Sequence, residues 1–125
     1  MKLLDTSVAI DHLRGVQSAV DLLSGLIEVE EVLLASEVVR FELLAGVRKD
    51  EVEALEQFFS ALSWVPIGEE VVRTAGALAQ SHRRAYSGID DADYLIAATA
   101  LLLEADLLTT NMRHFPMLTG LEPAY

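Results

Sequence analysis

The stretch Asp93-Tyr94-Leu95-Ile96-Ala97-Ala98-Thr99-Ala100-Leu101-Leu102-Leu103 is apolar all round a helical wheel once its first residue is passed. A helix of that kind is normally buried inside a domain rather than laid on its surface. It sits in a longer helical segment, Asp91–Ala105, followed by a short apolar run, Leu107–Thr109, that reads as a buried strand. The same alternation recurs toward the N-terminus. Strand-like runs occur at Lys2–Leu4, Val32–Ala35 and Ser63–Ile67, with Leu121–Ala124 expected as an edge strand. Helical segments fill the gaps at Thr6–Arg14, Ser18–Ile27, Ser36–Val47, Glu51–Leu62 and Glu69–Tyr86, broken at Gly15, near Gly46 and at Ser87-Gly88. Strands alternating with helices predict an α/β fold with a mostly parallel central sheet covered by helices on both faces.

Composition agrees with one such domain spanning residues 1–125. At 52% hydrophobic the chain is too apolar for disorder, and without cysteine it is no disulfide scaffold, so a reducing cytoplasm is its expected home. Met1-Lys2-Leu3-Leu4-Asp5 has one base and an early acid, unlike a signal peptide. No window reaches the ~18 uncharged apolar residues of a membrane span. Nine Lys and Arg stand against 20 Asp and Glu, a net charge of −11. Non-specific binding to phosphates is driven by cations, so this balance argues against a general nucleic-acid coat protein.

Most acids read as solvated surface: Glu28, Glu30 and Glu31 in a turn, and Asp50, Glu51, Glu53 and Glu56 at a helix start or on its outer face. Three others stand inside apolar sequence. Asp5 follows Leu3-Leu4 and suits an N-cap for the helix starting at Thr6. It also falls at the carboxyl end of a parallel strand, where α/β folds place ligands. Glu42 lies about 140° around its helix from Glu37, among Val38, Val39, Ala45 and Gly46. A lone Glu on an apolar face needs a salt bridge, a hydrogen bond or a cation. Asp93 suits the third position of a capping box with Asp90 as N-cap. It also lines up with the small residues Ala97 and Ala100, and Asp90 and Asp91 add charge in the same turn. Acids packed so closely raise one another's pKa unless a cation compensates.

Asn111, just after Leu107-Leu108-Thr109-Thr110, suits a turn and brings a neutral oxygen to the rim that holds Asp5. Oxygen groups from four parts of the chain, with no cysteine, favour a hard cation such as Mg²⁺ or Mn²⁺ over Zn²⁺. His12, His82 and His114 are isolated and read as surface residues. There is no Gly-rich phosphate loop and no Gly-x-Ser-x-Gly elbow.

Four motifs together resemble a PIN-domain nuclease, and more narrowly a VapC-type toxin of a toxin–antitoxin pair. They are Leu3-Leu4-Asp5-Thr6-Ser7, Phe41-Glu42-Leu43-Leu44-Ala45-Gly46, Asp93-Tyr94-Leu95-Ile96-Ala97-Ala98-Thr99-Ala100 and Thr109-Thr110-Asn111-Met112-Arg113-His114-Phe115. The third closely matches the family's Asp-x-x-Ile-Ala-Ala-x-Ala pattern. The resemblance implies a three-layer α/β/α sandwich with an acidic pocket at the carboxyl rim of its sheet, and endoribonuclease activity dependent on Mg²⁺ or Mn²⁺. It makes Asp5 and Asp93 the main metal ligands, with Glu42 and Asn111 holding waters or a second ion, and Ser7 and Thr109 in support. The ion would polarise the phosphodiester and activate a water for in-line attack. Many PIN domains carry Asp where this chain has Asn111, which puts a second tightly held ion in doubt; Asp90 or Asp91 is a candidate replacement.

The resemblance also implies an RNA substrate of the tRNA or ribosomal RNA class, a homodimer, and a VapB-like antitoxin through which alone DNA would be contacted. Arg40, Arg48, Lys49, Arg83, Arg84 and Arg113 are the bases near the expected rim, with Arg83, Arg84 and Arg113 the candidates for RNA contact. Two other classes remain. A receiver-type phosphoacceptor domain would show adjacent acids at its first strand and a late Lys-Pro, both absent here. A catalytically weak PIN-like interaction module would tolerate loss of the carboxylates, and all three are present.

Overall fold

The computed structural model describes all residues, 1–125. The chain runs β1 (Lys2–Leu4), α1 (Thr6–Leu13), α2 (Gln17–Glu28), β2 (Leu33–Ser36), α3 (Glu37–Gly46), a 3₁₀ turn (Lys49–Glu51), α4 (Val52–Ser60), β3 (Ser63–Val65), α5 (Glu69–His82), α6 (Asp91–Leu103), β4 (Asp106–Leu108) and a second 3₁₀ turn (Met112–His114). Four parallel strands in the order β3-β2-β1-β4 form the sheet, which is flanked by the six helices. Lys2 pairs with both Leu33 and Asp106, and Leu34 with Ser63. The α/β/α sandwich with a parallel sheet expected from the sequence is the observed architecture. No helix is long and apolar enough to cross a membrane.

Strand order sets the position of the site. From β1 the chain moves outward through β2 to β3, then returns across the sheet to lay β4 on the other side of β1. Such a reversal opens a crevice at the carboxyl ends of the two strands that part company, here β1 and β4. Asp5 and Thr109 are the first residues beyond those ends.

Leu3, Leu4, Val8, Ala9, Ala35 and Val39 are fully buried in a main core that extends to Ile96, Ala97 and Ala100 of α6. A smaller cluster, Val71, Ala75, Tyr94 and Ala98, joins α5 to the far side of α6. Helix α6 is therefore packed from both sides, as its all-round apolar sequence requires. Asp90 caps it, accepting from the Asp93 N–H at 3.0 Å, while Asp93 Oδ2 accepts the Asp90 N–H at 3.1 Å. Glu104 ends it in the left-handed region at φ 52°. Turns at Gly15 and Gly88 also take positive φ, 76° and 81°, which is why the helices break there.

One expected strand is absent. Leu121–Ala124 forms no ladder; it contributes only the Ala124 N–H, which donates to the Thr109 carbonyl at 2.9 Å. Pro123 has no N–H to offer and Gly120 turns the chain at φ 72°, so pairing cannot extend. Pro66 likewise ends β3 at Val65 rather than Ile67.

Candidate active site

Asp5 is held at the crevice by its own backbone, whose N–H donates to the Leu108 carbonyl at 2.9 Å. It stands in the N-cap position of α1, yet its carboxylate caps nothing. Instead, Oδ2 accepts from Thr109 Oγ1 at 2.7 Å and from Ser7 Oγ at 2.9 Å. Ser7 Oγ in turn accepts the Thr110 N–H at 3.2 Å, and Thr109 Oγ1 accepts the Asn111 N–H at 2.9 Å. Asp5 and Thr109 are buried, at 4% and 0% exposure. Two hydroxyls therefore fix this carboxylate through Oδ2 and leave Oδ1 without a protein donor.

Glu42, one turn before the end of α3, accepts from Thr6 Oγ1 on Oε1 at 2.7 Å. No arginine pairs with it. Burial pushes its pKa up, the Thr6 hydroxyl pulls it back, and the charges of Asp90 and Asp5 raise it further. Asp93, in the first turn of α6, uses Oδ2 for the Asp90 N–H, and the same oxygen lies 3.4 Å from His114 Nδ1. Its pKa is pushed up to about 6, chiefly by burial; the backbone cap opposes this, Asp90 and Asp5 add to it, and His114 opposes it. Asp5, Glu42, Asp90 and Asp93 thus come from three separate segments into one electrostatic neighbourhood.

The side chains of the other expected site residues make no contact with these carboxylates. Asp91 is turned outward by the ~100° that one residue represents on a helix. Its exposed side chain pairs with Arg83 at 2.8 Å. Asn111 is exposed and joins the network through its backbone alone. Arg113 is exposed, while Arg83 and Arg84 line a groove between α5 and α6. Arg40 is committed to structure: it pairs with Glu37 at 2.8 Å and lies 3.9 Å from the centroid of the Trp64 ring. Two contributors escaped the sequence reading, Thr6 and His114. Thr6 is 36 residues from its partner. For His114 a signal existed: it precedes Phe115, whose burial at 1% exposure anchors the 3₁₀ turn that brings the imidazole to Asp93.

A common pattern tests whether a divalent cation fits. Asp5, Glu42 and Asp93 each spend one carboxylate oxygen on protein donors and leave the other free. The shifts of Glu42 and Asp93 show that the chain does not neutralise their charges, and His114 is the one base acting on Asp93. No three His, Cys, Asp or Glu side chains converge into a closed cage. That openness suits Mg²⁺, which keeps several waters and takes only one or two carboxylates directly. The donor set fits a hard cation and would suit neither Zn²⁺ nor a soft metal.

Comparison with known proteins gives this geometry a family. The PIN domain model matches residues 2–117. The chain is 58% identical over 125 residues, covering all of both chains, to Ribonuclease VapC19 of Mycobacterium tuberculosis. It is 37% identical to Ribonuclease VapC10 of the same organism, covering all of this chain and 93% of the relative. Among solved structures, VapBC2 from Rickettsia felis bound to a DNA fragment from their promoter contains a chain of the same fold. That chain superposes with a TM-score of 0.81 at 24% identity, covering 96% of this chain and 94% of that one. The chain belongs to the PIN-domain family and, within it, to the VapC proteins.

Proposed function

We propose that the chain, as a single PIN domain, is an endoribonuclease dependent on Mg²⁺ or Mn²⁺ and the toxin of a toxin–antitoxin pair. The observation that carries this reading is the set of three half-engaged carboxylates at the β1/β4 crevice, Asp5 and Asp93 buried and Glu42 half-buried. The names of the two mycobacterial relatives supply the substrate, RNA, with tRNA or ribosomal RNA the expected class.

In this reading the free oxygens of Asp5 and Asp93 would hold the ion, and Glu42 would orient a water for the reaction. A divalent cation there supplies polarisation of the phosphodiester and a lowered pKa for the attacking water. Water adds at phosphorus and the P–O3′ bond breaks, leaving a 5′-phosphate and a 3′-hydroxyl. Ser7 and Thr109 keep Asp5 from rotating, Thr6 does the same for Glu42, and the cap bond from Asp90 fixes Asp93. The Rickettsia felis structure, VapBC2 bound to a DNA fragment from their promoter, supports a VapB-like antitoxin as partner, and DNA contact only through that partner is part of the proposal. A homodimer completes the proposal.

Purified protein incubated with a mixed RNA pool and Mg²⁺ or Mn²⁺ tests it, beside Asp5→Ala and Asp93→Ala. Cleavage by the wild type alone, abolished by EDTA, is expected. Cleavage that survives EDTA, or persists in both variants, would sink the mechanism. A wild type inert on RNA that still binds an antitoxin would make the chain an interaction module instead.

A further inference from the structure

Three grooves of about 540–600 Å³ open on the surface. The groove beneath the C-terminal segment sets Lys2 against Glu104, Asp106 and Glu122. A second, reaching Glu42, sets Arg14 and Arg48 against Glu42, Asp50 and Glu51. Only the third, between α5 and α6, is net positive: Arg83 and Arg84 face a single acid, Asp91. In a molecule of charge −11 this is the groove of the three where an anion meets least repulsion.

Its walls are apolar, from Val72, Ala75 and Ala79. Its floor includes Tyr94, 1% exposed, whose hydroxyl has no hydrogen-bond partner. That hydroxyl is closed off from solvent, so Tyr94 serves the groove as an apolar floor. Arg83 is already posed at the mouth, 5.5 Å from the Tyr94 ring centroid and held by Asp91 at 2.8 Å. Arg84 forms no ion pair. The groove and the acid site share the first turn of α6: Asp91, Tyr94 and Leu95 line the groove, and Asp90 and Asp93 stand in the same turn.

We propose that this groove is a nucleotide subsite for the RNA: Arg83 and Arg84 hold a backbone phosphate neighbouring the one that is cut, above the apolar floor that Tyr94 supplies. The subsite rests on the ribonuclease reading above but is tested separately from it. Asp91 keeps Arg83 in place until the phosphate, a better bidentate partner, takes over. Most of the affinity here is charge and most of the wall is apolar, so the subsite positions RNA without reading its sequence strongly.

The test is fluorescence anisotropy of a labelled single-stranded RNA pool in Ca²⁺, followed by cleavage kinetics in Mg²⁺. It uses the full chain, Arg83→Gln/Arg84→Gln, Tyr94→Phe, and Arg73→Gln on α5 as a charge control outside the groove. The double variant is expected to bind roughly tenfold more weakly. Its KM should rise while kcat stays within about twofold, and its salt slope should fall by about 0.7 for each phosphate no longer held. Tyr94→Phe, which removes a closed-off unpaired hydroxyl and no protein bond, should melt at or above the wild type and bind RNA as the wild type does. Wild-type affinity and salt slope in the double variant would overturn the proposal, as would a wild type that binds no RNA. Unchanged RNA binding with an altered sedimentation mass would assign the groove to a protein interface and overturn it equally. RNA bound through the groove but never cut would leave the subsite standing and remove the ribonuclease reading.

Discussion

Replacing Asp93 by Asn should make the protein more stable while removing its chemistry. Asp93 is 7% exposed and its pKa is pushed from 3.8 to about 6. At pH 7.5 the ionised group therefore costs the fold free energy that a neutral isostere avoids. Two pKa units correspond to about 3 kcal/mol, an upper bound because Asn gives up the charge that strengthens the cap bond and the His114 contact. A net gain of about 1–2 kcal/mol is the expectation. For a chain of 125 residues this corresponds to a rise in Tm of about 4–8 °C. Asn retains an oxygen for the Asp90 N–H, so helix α6 keeps its cap.

The pH dependence follows from the direction of the shift. Between about pH 4 and pH 6 the native state binds more protons at Asp93 than the unfolded chain does, so wild-type stability falls as pH rises through that window. Thermal melts of both proteins in EDTA, from pH 3.5 to pH 8, should show curves that coincide below about pH 4 and stay separated above about pH 6. Millimolar Mg²⁺ should raise the wild-type melt and leave Asp93→Asn unmoved, because only the former gains by binding. An Asn variant that melts below the wild type at pH 7.5, or a gap that persists at pH 3.5, would refute the reasoning.

Three further substitutions probe the supports of the site. Thr109→Val keeps the shape of a fully buried side chain but leaves Asp5 Oδ2 short of its 2.7 Å donor. Urea denaturation should show a loss of about 1–3 kcal/mol, and an unchanged midpoint would mean that the hydroxyl is dispensable. Thr6→Val removes the donor that restrains Glu42, raising that carboxyl's pKa further. The Mg²⁺ concentration for half-maximal RNA cleavage should then rise, whereas a wild-type Mg²⁺ curve would place Glu42 outside the ion's surroundings. Arg40→Ala strips the cation from over Trp64, the chain's sole tryptophan, so emission should shift while about 1–2 kcal/mol of stability is lost. Cleavage should be unaffected; lost activity in a stably folded Arg40→Ala would move Arg40 into the site.

How much of this could be read from residues alone depended on the range of the interaction. Asp93 stood out because one acid at the head of an all-apolar helix violates the local pattern, and the cap it forms with Asp90 lies three residues away. Asp5 stood out because a strand ended there. The partners of Asp5 and Glu42 were a different matter. Thr109 lies 104 residues from Asp5, and Thr6 lies 36 from Glu42. Only the β3-β2-β1-β4 order brings such pairs together, and helical phase carries no information about it. The choice between Asp90 and Asp91 was a question of ~100° of helix rotation, finer than a wheel drawn with uncertain ends can resolve. The edge strand failed because Pro123 and Gly120 outweigh four residues of apolar pattern. The net charge, which on its own argues against nucleic acid, averages a small buried cluster with many solvated acids. Its distribution, not its total, carries the function.

The most direct test of the central claim, that Asp5 and Asp93 share a divalent cation, is a Mn²⁺ titration followed by electron paramagnetic resonance. The wild type should remove free Mn²⁺ saturably, with Mg²⁺ competing, and both Asp5→Asn and Asp93→Asn should lose that binding while remaining folded. A wild type that binds no Mn²⁺, or two variants that bind it as the wild type does, would contradict the account.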